Sequence, residues 1–413
     1  MKKIQHFLII AFLLAVVFVA CQDLDAIKTP ADYNLHDRFG EYVDTTIFAS
    51  KALFKIDDRI NTANGKRLCV GEYKGFKAGF LIKFVGLPAS DVEMDSVFLI
   101  LRSHSVYGQP QGPQEIAIYL VEQDWDEWAN SQDEWHAYQP QNLLGTFQLS
   151  DEDTMEFKTQ LDTSLVNQWR RADSTNFGLY FSAVNGANFI REFVSLEDDN
   201  DAEWPKLYFK TKQDTAFVLD SLRLGIDATI FDYQPDAENI FDWSREQQEL
   251  ILGSGIGAHV IVEFPGLDSL PSNAIFQGAD LHFEVDNRDF ITNVDTNSYD
   301  NPSVSSYFYL RNITEADSGF NNFKIDSSFS TNSNFNYLLK EKNGQIALVD
   351  GDYQSKFGKN VFQNLVNGKT VTRGFYIQFI DEGSMLSFKR LKGLSSKAIS
   401  LELRYYLVKD NGF

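Results

Sequence analysis

The sequence predicts an all-β protein, two tandem jelly-roll (antiparallel Greek-key) β-sandwich domains behind a short leader. Two observations predict it. Apolar runs of about four to ten residues, rich in β-branched and aromatic side chains, are bounded by Gly, Pro, Asn and Asp. The order of these runs in the first half is then repeated in the second. Strands are expected at Ala78-Gly79-Phe80-Leu81-Ile82-Lys83-Phe84, Ser96-Val97-Phe98-Leu99-Ile100-Leu101, Phe177-Gly178-Leu179-Tyr180-Phe181 and Lys206-Leu207-Tyr208-Phe209. The clearest helical pattern is short, Ser164 to Trp169. It places Leu165, Val166 and Trp169 on one face, with Thr163 as its expected cap.

Six pairs of segments carry the repeat, at an offset of roughly 180 to 200 residues and in conserved order. Thr46-Ile47-Phe48 answers to Thr229-Ile230-Phe231, and Phe80 to Leu87 answers to Val260 to Leu267. Val97 to Leu101 corresponds to Ala279 to Phe283, and Leu165 to Trp169 to Phe362 to Asn367. Phe177 to Phe181 matches Arg373 to Ile377, and Leu207 to Phe209 matches Leu401 to Tyr405. The division expected is a leader over 1–20, a tether over 21–38, a first sandwich over 39–213 and a second over 214–413.

The leader is the most specific local signal. Lys2 and Lys3 precede an apolar run from Phe7 to Ala20, which ends at Cys21. At about 1.5 Å rise per residue that run is too short to cross a bilayer core of about 30 Å, so it reads as a cleaved export signal. Phe18-Val19-Ala20-Cys21 resembles the lipobox of bacterial lipoproteins, with Phe18 in place of the usual Leu. The resemblance implies cleavage before Cys21 and lipidation of its thiol. Gln22-Asp23-Leu24-Asp25 resembles the acidic export signal of Bacteroidota surface lipoproteins, which implies an outer-membrane anchor and the cell surface. The polar segment that follows reads as a tether.

Composition excludes several classes. The formal charge of −21 becomes −23 once Lys2 and Lys3 leave with the leader, so neither nucleic acid nor an anionic bilayer finds a basic face. The membrane partner is therefore the lipid alone. With Cys21 lipidated, Cys69 has no disulfide partner, and no cysteine-rich zinc site is expected. No histidine sits in a nucleophile elbow or a helical metal pair. Gly253-Ser254-Gly255-Ile256-Gly257 lacks the Lys-Ser/Thr of a phosphate loop and reads as a turn between strands. A carboxylate pair drawn from Asp124, Asp126 and Glu127 could serve glycoside hydrolysis, but 58 acidic residues make such pairs unavoidable, and no catalytic residue is assigned.

The first module, over roughly residues 44 to 210, resembles the DNRLRE-type domain, a jelly-roll sandwich related to the family 96 carbohydrate-binding modules. The residues that carry the resemblance are Trp125-Asp126-Glu127 with Trp135 and Pro140, Asp162-Thr163-Ser164-Leu165-Val166-Asn167-Gln168-Trp169 ahead of Asn176-Phe177-Gly178-Leu179, and Phe193 to Glu197 with Pro205-Lys206-Leu207. The second module keeps the skeleton but only Trp243 of the six tryptophans lies beyond residue 204. The resemblance implies a non-enzymatic module that binds polysaccharide. The alternative is a structural or adhesion component that binds protein partners in a surface assembly.

Aromatic faces stack on sugar rings, so an exposed platform would carry glycan binding. Trp125, Trp135 and Trp169 fall at expected core positions. Trp128 and Trp204 sit among polar and acidic residues and are the platform candidates, with Tyr107 and Tyr138 extending it. No organic cofactor is expected. Calcium is the ion the sequence nominates, through Glu197, Asp198, Asp199 and Asp201 in one loop of oxygen ligands, the other reading being a solvated acidic loop.

Overall fold

The computed structural model describes residues 40–56, 62–63, 65–73, 76–108, 110, 112–127, 140–150, 156–171, 175–184, 189–213, 216–233, 249–255, 257–286, 307–317, 320–325, 337–342, 344–348, 351–380, 387–394 and 397–408. The chain begins with β1 (Glu41–Phe48), β2 (Lys51–Ile56), β3 (Arg67–Tyr73), β4 (Phe76–Phe84), β5 (Glu93–Gly108), β6 (Gln114–Leu120), β7 (Asn142–Leu149) and β8 (Glu156–Leu161). Helix α1 (Thr163–Arg171) leads to β9 (Leu179–Ala183), β10 (Phe189–Val194), β11 (Lys206–Gln213) and the long β12 (Ala216–Tyr233). The second half holds β13 (Leu250–Ser254), β14 (Ala258–Glu263), β15 (Ala274–Glu284), β16 (Tyr307–Ala316), β17 (Phe323–Ile325), β18 (Tyr337–Lys342) and β19 (Gln345–Leu348). Helix α2 (Gly351–Phe357) precedes β20 (Gly374–Phe379), β21 (Ser387–Leu391) and β22 (Ile399–Leu407).

Two curled antiparallel sheets result, the all-β sandwich architecture that the alternating pattern predicts. The first runs β12-β11-β5-β10-β3-β4-β9-β6-β7, with β8 also on β5. Its curl is closed by β12, whose first half pairs with β11 and whose second half pairs with β4. The second runs β1-β22-β15-β19-β18-β16-β20-β14-β13-β21, with β2 on β14 and β17 on β16. A bridge between Val285 and Leu391 ties the end of β15 to β21.

The pairing does not follow the expected division at 213/214. β1 pairs with β22 along its whole length, Glu41 opposite Leu407 and Phe48 opposite Ser400. β2 pairs with β14, from Ile56 opposite Ala258 to Lys51 opposite Glu263. Both therefore belong to the C-terminal sheet, while β12 belongs to the N-terminal one. The repeat explains the exchange. β1-β22-β15 and β2-β14-β20 in one sheet match β12-β11-β5 and β12-β4-β9 in the other. Each half's leading strand thus completes the other half's sheet. The matched triplets themselves are not superposed: Ile47 faces Leu401 of β22, whereas Ile230 faces Gly79 of β4.

Packing joins the two sheets further. One apolar core contains Phe276, Phe283, Phe308, Phe357 and Phe375 of the C-terminal half. It also takes in Phe54 of β2 and Cys69, Tyr73, Ala78, Tyr107, Ile190 and Phe231 of the N-terminal sheet. A second core fills the first sandwich, where Phe80 stacks on Phe181 at 4.4 Å and Trp169 is 1 % exposed. Helix α1 buries Leu165, Val166 and Trp169, as its spacing predicts. Its first turn is held by Asp162, whose Oδ1 accepts the Ser164 N–H at 2.8 Å, rather than by Thr163. Trp125 is also interior, against Leu81, Val121 and Ile230, while Trp135 lies outside the described residues. The glycine-rich segment is the turn between β13 and β14, with Gly255 and Gly257 at φ 85° and 60°, where a side chain would be strained.

A fragment limited to residues 214–413 lacks β1 and β2, so β22 and β14 each lose a neighbour and the apolar surface over Phe54 opens. It is expected to melt without a cooperative transition by circular dichroism, and to regain one when a peptide spanning 40–56 is added. Cooperative melting of the bare fragment would contradict the exchange.

Candidate functional site: the acidic loop and the carboxyls behind it

The acidic loop joins β10 to β11 and lies against the start of β3, because Val194 is paired with Arg67. That register brings two cations to it. Arg67 donates to the Asp198 carboxylate, and Lys66 Nζ lies 2.8 Å from Asp199 Oδ2. Asp198 Oδ1 also accepts the Asn200 N–H at 2.8 Å, an Asx turn that shapes the loop. Burial raises the Asp198 pKa, but the Arg67 and Asn200 hydrogen bonds outweigh it and hold the carboxyl below its ordinary value. His104 Nε2 sits 2.8 Å from Arg67 Nη2, and burial followed by that positive neighbour pushes its pKa down.

The four nominated calcium ligands therefore do not converge. Asp198 and Asp199 face Arg67 and Lys66, Asp201 is exposed, and Glu197 turns inward, its Oε2 2.9 Å from Ser195 Oγ. Lys66 and Arg67 place positive charge beside two of the four carboxylates.

The aromatic candidates fare similarly. Tyr107 is 3 % exposed in the core common to both sheets and offers no face to a ligand, because the end of β5, from Ser105 to Gly108, is buried on both faces. Trp204 is half-buried and donates from Nε1 to the Asp198 carbonyl at 2.8 Å, which makes it a prop of the acidic loop. Trp128, Tyr138 and Cys21, where the sequence leads us to expect lipidation, lie outside the described residues.

Behind the loop the structure brings together three carboxyls from distant segments, Glu127, Glu197 and Asp227. Asp227, on β12 opposite Ile82, is 1 % exposed. Its Oδ2 accepts the Leu196 N–H at 2.9 Å, and its carboxyl is hydrogen-bonded to that of Glu197. Burial, then the negative charge of Glu197, pushes its pKa well up. Burial also raises Glu197. Glu127 is raised to about 7, by burial first and then by Glu197 and Asp126. No protein-family model matches the chain, and no curated protein gives a significant match.

A carboxyl with a pKa near 7 can exchange a proton at neutral pH, the property a general acid or base needs. Here the like charges and burial account for it without a substrate. The sequence pointed at Glu127 through its neighbours Asp124 and Asp126. It did not point at Asp227, whose one local sign is a charge set among the apolar residues of Leu224-Gly225-Ile226-Asp227-Ala228-Thr229-Ile230-Phe231.

All three carboxyls hold a proton more tightly in the folded chain than in the unfolded one. Glu127's contribution to stability is complete below the ordinary glutamate value, about 4.3, and is lost as pH rises through about 7, and the raised Glu197 and Asp227 act in the same direction. Thermal unfolding is therefore expected at lower temperature at pH 8 than at pH 5.5. Asp227→Asn or Glu127→Gln should flatten this dependence and raise the pH 8 midpoint by on the order of 2 °C. An unchanged pH dependence in both variants would contradict the cluster's role.

Proposed function

We propose that this chain is a non-enzymatic, lipid-tethered protein of the bacterial outer membrane that binds a protein partner at the cell surface. The observation that carries the binding class is an open seam in the first sandwich. β7 ends its sheet, and β8 pairs with β5 alone, so among the described residues neither has a neighbour on its outer edge. Phe147 and Phe157 stack across the seam at 3.7 Å. Beside them a groove of about 230 Å³ is lined by Leu143, Leu144, Ile118, Leu161 and Leu165, with Thr146, Thr159, Gln160 and Asp162 supplying polar groups. Leu143 and Leu144 are 54 % and 42 % exposed. Exposed edges with apolar side chains are disfavoured in free proteins and are used for strand addition by an extended peptide.

A second reading, polysaccharide binding, is favoured by one surface feature. Tyr42 and Phe48 stand exposed on β1, and Tyr42 packs against Tyr406 at 5.2 Å. Such rings could stack on sugars in place of the interior tryptophans. Lipid tethering rests on the sequence around Cys21; among the described residues no helix is long and apolar enough to cross a membrane.

A photo-crosslinker placed at Leu144 of the full-length protein in intact cells is expected to give one discrete protein adduct that Leu143→Asp abolishes. No adduct, together with glycan-array binding lost in Tyr42→Ala or Phe48→Ala, would replace this reading by the polysaccharide one. Cys21→Ala is expected to release the protein from the membrane fraction, and retention there would refute the lipid anchor.

A further inference from the structure

Asp280, His282 and Glu402 form a second, unrelated cluster on the outer face of the C-terminal sheet. Residues two apart on a strand share a face, so Asp280 and His282 of β15 point the same way. The register sets Asp280 directly opposite Glu402 and His282 opposite Ser400 of β22. Two like charges directly opposite on neighbouring strands repel. One ligand atom from each of the three side chains lies within 4.8 Å of the others.

The hydrogen bonding of this cluster is incomplete in a directed way. Arg404, opposite Gly278, reaches over that glycine, where a side chain would approach its Nη2 to 3.0 Å. Its Nη2 donates to Asp280 Oδ2 at 2.8 Å and lies 3.4 Å from Gln354 Oε1. Asp280 is 4 % exposed, and its other oxygen, Oδ1, is enclosed with no partner. His282 Nε2 is likewise enclosed and unpartnered, 3.8 Å from Glu402 Oε2 and so beyond hydrogen-bond reach. A carboxylate oxygen and an imidazole nitrogen thus lie close together beside a second carboxylate, and among the described residues no donor satisfies them.

We propose that Asp280, His282 and Glu402 bind a divalent transition-metal cation of the zinc type. One imidazole nitrogen and two carboxylate oxygens suit such an ion better than calcium, which takes six to eight oxygens. Bonds of about 2.0–2.2 Å draw the three atoms closer than they now lie, and water completes the tetrahedron. Side-chain rotation of Glu402 and His282, which are 42 % and 27 % exposed, supplies that movement and an entry path. Arg404 orients the Asp280 carboxylate as outer-shell partners do. The ion would pin β22 to β15 where β1, the exchanged strand, lies on the far side of β22 with Thr46 opposite Glu402.

The test is calorimetric titration of the full-length, tag-free protein with zinc chloride, paralleled by cobalt(II) absorption spectra. One saturable zinc per chain is expected, with no comparable heat from calcium. His282→Ala and Glu402→Gln should each weaken zinc by at least about tenfold and remove the cobalt d–d bands, while Ser400→Ala leaves both unchanged. If one variant fails to fold, the other decides. Absence of stoichiometric zinc binding, or affinity and cobalt bands retained in the folded variant, would overturn the assignment.

Discussion

The exchange of leading strands is the constraint on which the rest of this structure depends. β1 and β2 precede the N-terminal sheet in sequence yet are built into the C-terminal one, and β12 closes the sheet that precedes it. Neither sheet is complete within its own half of the chain. The contacts that close each sandwich are therefore long-range, and their loop entropy is recovered only when both halves are in place. The common core from Phe54, Tyr107 and Phe231 to Phe375 is the packing counterpart of this interlock. It also explains why β10 is buried on both faces, unlike a strand of a free-standing sandwich with one wet side.

Buried charge follows from the same architecture. A strand covered on both faces has no solvent side for its polar residues, so Arg191 and Glu192, adjacent on β10, are both fully enclosed. Arg191 donates from Nη1 to Ser103 Oγ at 3.0 Å and from Nη2 to the Ser150 carbonyl at 2.7 Å. In the other half, Arg390 is held between Glu249 and Asp286, all three nearly inaccessible. Such groups require partners because an unpaired buried charge costs several kcal/mol. In the Glu127–Glu197–Asp227 cluster the partners are carboxyls instead, and burial, then like charge beside Asp227 and Glu127, pushes their pKa values up.

Much of the fold is legible in the residues, and the boundary of legibility is physical. Alternation and turn residues reveal strands such as Phe80 to Phe84, and a one-turn spacing reveals Leu165, Val166 and Trp169 as a buried helix face, because these are local properties. The ordered repeat is legible too. Which sheet a strand joins is not, since Ile47 and Ile230 are apolar in strands of the same pattern whichever neighbour they pair with. For the same reason Tyr107 reads as a loop-side aromatic although a second sheet covers it. In sequence the acidic loop reads as either solvated or calcium-binding, and its cationic neighbours Lys66 and Arg67 are not legible because they lie more than a hundred residues away. Asp280, His282 and Glu402 escape a motif search because cross-strand spacing has no short sequence signature.

Interlocked sheets with a common core should behave as one cooperative unit despite their repeated sequence. The direct measurement is differential scanning calorimetry of the intact chain. The account predicts a single endotherm whose calorimetric and van't Hoff enthalpies agree. Two resolved transitions, each with the enthalpy of half the chain, would contradict it.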